Sequence, residues 1–168
     1  MTTATKTHAQ TNAEAWMKTI LSLWDASKWC DDLRSTAKGL HSETREILED
    51  AGAIFGDDDQ LTDDSYPWTV IYEHVLDRVR ESALSCEFRS AWHVFTDFMG
   101  QELEASEFRI VLTFGGPHLE IRGDVNAYNA AENPELIYSE MGMEPTRLWL
   151  SSVQRTALEW FALQFVCC

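Results

Sequence analysis

The residue pattern predicts an α+β fold, with helices followed by a small antiparallel β-meander and a buried C-terminal helix. Two changes of period carry that expectation. Apolar residues recur at helical spacing as far as Met99, and from Phe108 the spacing drops to two with glycine-rich breaks between the runs. From Ser152 a run of helical length resumes.

Each element has its own justification. Residues 1–11 read as a frayed, disordered polar tail, and residues 12–168 as a single α+β domain. Asn12 fits the N-cap of a helix from Ala13 to about Trp29, in which Trp16, Ile20, Leu23 and Met17, Leu21, Trp24 share faces. Ser42 fits the cap of a second helix, Glu43 to about Ala53, which Gly52 or Gly56 ends. Gly56 to Ser65 is a polar, acidic loop. Pro67 stands where a first helical residue often does, and Trp68, Ile71, Tyr72, Val75, Leu76 and Val79 form an amphipathic stripe after it. Phe88, Ala91, Trp92, Phe95, Phe98 and Met99 repeat that spacing and predict another helix ending near Gly100. Phe108, Ile110, Leu112 and Phe114 alternate as a strand, broken by Gly115-Gly116-Pro117. Leu119 and Ile121 make a second strand, Gly123 to Asn126 turns, and Glu135 to Ser139 makes a third. Ser151 with Gln154 is a capping box for a last helix to about Phe165, apolar nearly all round.

Composition narrows the function. The 168 residues are 45% hydrophobic and 24% charged, an ordinary folding chain. The charge is not ordinary: 28 Asp and Glu face 13 Lys and Arg, for a net −15. Such a chain is repelled by DNA, RNA and anionic membrane, so direct nucleic-acid binding is excluded. No apolar stretch reaches the ~18 residues of a membrane span. Met1 to Gln10 lacks the apolar core of a secretory signal. Cys30, Cys86, Cys167 and Cys168 show no CxxC spacing and read as reduced cytosolic thiols. The terminal pair lacks the polybasic lead-in of a lipidation site.

The charge is unevenly laid out. Residues 43–64 carry nine acids against Arg45 alone, net −8, while residues 1–42 sum to +1 and residues 65–168 to −8. No lysine follows Lys38. Glu43, Glu46, Glu49 and Asp50 fall on one helix face, where like charges cost a few tenths of a kcal/mol per pair. A basic partner would relieve that cost. Asp97 to Glu107 and Glu132 to Glu144 are two further acidic runs. The competing interpretation is a solvated, solubilising surface.

No catalytic or metal constellation emerges. No serine lies in a GxSxG elbow and no cysteine carries a nucleophile signature. His93 with Asp97 and His74 with Asp77 offer two ligands each, where zinc needs three or four. A calcium loop from Asp57 would need Gly and Glu where Thr62 and Trp68 stand. Gly115-Gly116-Pro117 leads into a strand and reads as a turn, not a phosphate loop. Neither a metal nor a cofactor is expected. Trp29, Trp68 and Trp149 lie nearest predicted element ends and are the candidate exposed anchors for a partner.

The stretch Phe108-Arg-Ile-Val-Leu-Thr-Phe-Gly-Gly-Pro-His-Leu-Glu-Ile-Arg-Gly-Asp124 resembles a group of small phage and plasmid accessory proteins. They share an apolar strand, a Gly-Gly-Pro turn, a second strand and an acidic-aromatic segment. Leu136-Ile-Tyr-Ser-Glu-Met-Gly142 corresponds to that last segment, with Met141 where the group often has tryptophan and Ile137 where it often has an acid. The resemblance covers residues 66–142 at most and is carried by 108–124. It implies an accessory gene of a mobile element, of anti-CRISPR or anti-restriction type. The resulting expectation is a non-enzymatic inhibitor that works by DNA mimicry in the host bacterial cytoplasm. Its partner would be a basic nucleic-acid-binding complex of host defence, a CRISPR effector or restriction enzyme. Glu43, Glu46, Glu49, Asp50, Asp57, Asp58, Asp59, Asp63 and Asp64 would be its partner-binding phosphate surrogates. The rival classes are an interaction module with an apolar patch near Trp68 or Trp149, and a paired-carboxylate hydrolase.

Overall fold

The computed structural model describes residues 7–90, 105–114, 116–140 and 142–166. The elements are α1 (His8–Asp31), α2 (Ser42–Asp50), α3 (Trp68–Ser82), β1 (Ser85–Ser90), β2 (Ala105–Thr113), β3 (His118–Val125), β4 (Ala131–Ser139), β5 (Thr146–Arg147) and α4 (Ser152–Val166). The fold is α+β, with an antiparallel sheet and a C-terminal helix. The sequence reads as one domain over residues 12–168. The folded chain divides into two compact units, Trp16–Ser82 and Met1–Ala15 with Ala83–Cys168, and the division falls inside α1.

In the unit Trp16–Ser82, the helical periodicities become a core. Met17, Ile20, Leu23, Ala26 and Trp29 of α1 are buried, as are Ile47 and Leu48 of α2 and Ile71, Val75 and Val79 of α3. Each large side chain so buried contributes about 1.5–3 kcal/mol. Trp29 is the hub. Its ring lies 4.5 Å from Trp68 and 5.6 Å from Phe55, and its indole N–H donates to the Thr36 carbonyl at 2.9 Å. α2 ends as its sequence requires. Gly52 takes φ +100°, its N–H reaches the Glu49 carbonyl, and the Ala53 N–H reaches Leu48, a Schellman closure.

The other unit is built on one sheet in the order β1-β2-β3-β4-β5, every neighbour antiparallel. Alternation gives it two unlike faces. Phe108, Ile110, Leu119, Ile121 and Leu136 are buried on one. Helix α4 packs against β4 and β2 and buries Ala157, Leu158, Phe161, Ala162 and Val166. The opposite face carries Glu87, Arg109, Glu120, Arg122 and Glu135, aligned by register. Gly123 is required under the Phe108 ring, because a Cβ there would sit 2.6 Å from it. Ser151 and Gln154 form the expected capping box, with reciprocal bonds of 2.9 and 3.3 Å.

Several expectations need correction. α1 begins at His8, so residues 8–11 are helix and not tail. Thr7, not Asn12, caps it: Thr7 Oγ1 accepts the Gln10 N–H at 3.1 Å, and Glu140 Oε1 accepts the Ala9 N–H at 2.7 Å. His41 stands at the N-cap of α2 without a side-chain cap bond, and Ser42 is the first helical residue. Ser85–Ser90 is strand, with Phe88 opposite Phe108. Leu84, Cys86 and Phe88 alternate with period two, a signal masked by the helical spacing that continues from Phe88. The rest of that predicted helix, residues 91–99, lies outside the described residues. The two-residue β5 lies outside the predicted strands. α4 is buried along one stripe only, and Val153 is exposed.

Candidate functional site

The nine candidate acids occupy one continuous segment of the Trp16–Ser82 unit: helix α2 and the two turns after it. On α2 the buried positions are Thr44, Ile47 and Leu48, which leaves Glu43, Glu46, Glu49 and Asp50 on the outer side. Glu46, Glu49 and Asp50 are exposed and Glu43 half-buried.

The turns are built from backbone bonds. The Asp59 N–H donates to the Gly56 carbonyl at 2.9 Å, and the Gly56 N–H to Gln60 at 2.8 Å. Asp59 takes φ +62°, a left-handed conformation that aspartate tolerates better than most residues. Asp58 accepts the Gln60 N–H at 3.1 Å. The Leu61 N–H donates to Ser35, and the Ala37 N–H to Asp59, tying this turn to the segment after α1. A second turn, Thr62 to Ser65, displays Asp63 and Asp64. It is held to Ile54 by the Thr62 N–H at 2.8 Å and by the Ser65 hydroxyl.

The bases sort the nine acids into two groups. Arg45 bridges Glu49 at 2.8 Å and Asp59 at 2.6 Å, and its guanidinium lies over the Phe55 ring. Lys18 of α1 pairs with Glu43, which also accepts from Ser22. Arg78 of α3 meets Asp50 at 2.7 Å. The hydrogen bond from Lys18 holds the Glu43 carboxyl below its ordinary range, against a smaller opposing effect of desolvation. The hydrogen bonds to Glu49 and Asp59 hold Arg45 above its ordinary range. Glu43, Glu49, Asp50 and Asp59 are therefore partnered within the unit. Glu46, Asp57, Asp58, Asp63 and Asp64 form no ion pair among the described residues, and all five are exposed.

The other acidic runs belong to the sheet unit. Glu107 pairs with Arg89, Glu132 accepts from Asn126, Glu135 pairs with Arg147, and Glu140 caps α1. Asp97, Glu102 and Glu104 lie outside the described residues, as does the His93–Asp97 pair. His74 is exposed, its ring edge-on to Tyr66. Among the described residues no three His, Cys, Asp or Glu side chains are grouped to hold a metal. Burial, with a smaller contribution from Asp31, pushes the Cys30 thiol up to about 12, so it stays protonated and inert. Of the three tryptophan anchors, Trp29 is 1% exposed and so no surface anchor, and Trp68 is half-buried against it. Trp149 is 98% exposed.

One cluster was missed. Glu120 on β3 is a carboxylate with a side chain only 2% exposed. Arg109 Nε lies 2.6 Å from it, Arg122 Nη2 2.6 Å and His118 Nε2 2.8 Å, while Arg109 reaches on to Glu87 at 3.4 Å. Burial pushes the Glu120 carboxyl up. The bonds from His118 and Arg109 and the charges of Arg122 and Arg109 outweigh it, and the group stays below its ordinary range. A cavity of about 490 Å³ opens beside this cluster, with Arg109, Arg122, Glu135 and Phe88 in its wall. The signal was present in the sequence: Arg109 on one predicted strand, and His118, Glu120 and Arg122 on the polar side of the next.

No family model, curated protein or solved structure matches the chain. No helix among the described residues is long and apolar enough to cross a membrane.

Proposed function

We propose that the protein is a non-enzymatic acidic inhibitor of the kind carried by phages and mobile elements. It binds a nucleic-acid-handling defence complex in the bacterial cytoplasm, a CRISPR effector or restriction enzyme, and occupies its basic channel. Carboxylates take the place of phosphates there. The observation that supports this reading is the division of labour among the nine acids. Glu43, Glu49, Asp50 and Asp59 are paired with Lys18, Arg45 and Arg78, which link α2 to α1, to α3 and to the first turn. Glu46, Asp57, Asp58, Asp63 and Asp64 stand exposed on that frame. Charges presented on ordered turns lose less entropy on binding than charges on a loose loop. They also accelerate encounter with a basic groove.

The test is reversal of the four exposed turn aspartates, Asp57, Asp58, Asp63 and Asp64, to lysine in a plasmid- or phage-interference assay. Inhibition is expected to be lost, with binding weakened by roughly 1–4 kcal/mol if each of the four contacts behaves as an exposed ion pair. Unchanged inhibition would sink the mimicry. A second reading rests on Trp149: so exposed an indole suits an apolar anchor in a partner pocket. Under that reading Trp149→Ala abolishes binding, and the lysine variant does not.

A further inference from the structure

We propose that β1 is a self-association edge, on which a second copy of the chain adds its own β1 antiparallel, centred on Phe88. The two edges of the sheet are unlike. At one end β5 has only two residues, Pro145 precedes it, and β4 carries Pro134, the usual devices that stop a strand from recruiting another. At the other end β1 is six residues long, contains neither proline nor lysine, and pairs with β2 alone among the described strands. Its side chains are not withdrawn: Phe88 is 50% exposed and Leu84 before it is exposed as well.

Charge complementarity chooses the occupant and the register. Glu87 and Arg89 flank Phe88 and lie on the same face of the strand. In an antiparallel pair centred on Phe88, Glu87 of each copy stands opposite Arg89 of the other, and the two Phe88 rings meet. A register centred on Glu87 sets the two carboxylates against each other, and one centred on Arg89 sets the two guanidiniums so. Both groups already have a partner on β2, Arg109 for Glu87 and Glu107 for Arg89, yet their side chains remain 55% and 72% exposed. The joined sheet would continue the charged face across both copies.

Two chains of net −15 also repel each other at long range, and that repulsion is screened beyond ~8 Å at physiological salt. Salt screens this repulsion and the exposed Glu87–Arg89 pairs alike, so association through this edge responds to salt less steeply than capture of a basic partner.

The experiment is sedimentation equilibrium on the full chain over a wide concentration range, with circular dichroism to confirm folding. Wild type is expected to move from 19.2 kDa toward twice that mass as concentration rises. Glu87→Arg alone and Arg89→Glu alone are each expected to remain monomeric, because each sets like charges opposite. An equimolar mixture of the two is expected to recover the dimer, since every cross-strand pair is then of opposite charge. A wild type that stays monomeric throughout would overturn the proposal. So would folded single variants that dimerise like wild type, or a mixture that fails to pair.

Discussion

Glu120 shows how much one buried carboxylate can organise. Arg109, Arg122 and His118 converge on it, and Arg109 continues to Glu87. Glu120→Gln keeps the shape and removes the charge that the two guanidiniums share. Stability should fall by about 1–3 kcal/mol in denaturant titration, the usual cost of leaving polar partners unmatched. The pH dependence follows from the sign of the shift. The folded carboxyl is held below its ordinary value of 4.5, so the unfolded chain binds the proton more readily. Its stabilisation is complete above that value and is lost as pH falls through the depressed folded value. The Glu120→Gln variant should therefore show a shallower loss of stability on acidification than wild type. The same residue marks a limit of sequence reading. Alternation placed Arg109, His118, Glu120 and Arg122 on strands, but only the β2–β3 register shows that they meet.

Element ends and element faces differ in how legible they are. The capping box of α4 was legible because both of its bonds are local, Ser151 with Gln154. Ser151→Ala should lower stability by about 1 kcal/mol, measured by thermal unfolding. Gly52 was legible as a helix terminator, but not its second constraint. A Cβ there would lie 2.3 Å from the Tyr66 ring, at a backbone φ of +100°. Gly52→Ala should cost about 1–3 kcal/mol, more than a surface substitution on α2. A Gly52→Ala/Tyr66→Ala double variant should recover the part due to the clash, leaving the part due to φ. The helices of the Trp16–Ser82 unit were readable from their stripes. β1 was not, because Phe88 serves both a period-two run behind it and a helical spacing ahead of it. The polar residues around Thr7 hide its role as a cap, although Gln10 stands at the spacing a capping box needs.

At the scale of the whole molecule, the charge divides almost evenly. The Trp16–Ser82 unit has 15 acids and seven bases, and the remainder has 13 acids and six bases. The difference lies in how the acids are used. On the sheet unit, Glu87, Glu107, Glu120 and Glu135 are matched to arginines across strands. In the helical unit, Glu46 and four aspartates of the turns are left to solvent. The sequence located that segment by counting charges. Only the Arg45–Glu49 pair is local; Glu43 and Asp50 meet bases on α1 and α3 and Asp59 meets Arg45 across the turn, so the sequence could not separate the partnered acids from the five that face outward. Mimicry of a phosphate backbone requires the outward set to act through charge, so the most direct measurement is the salt response of its binding. Tagged protein is used to capture partners from a lysate of bacteria that carry CRISPR and restriction systems. The captured material is washed at low and then high salt, alongside the Asp57, Asp58, Asp63 and Asp64 lysine variant. Mimicry predicts a nucleic-acid-handling complex that is retained at low salt, released at high salt and absent from the variant. A partner that survives high salt, or that the variant captures equally well, would contradict it.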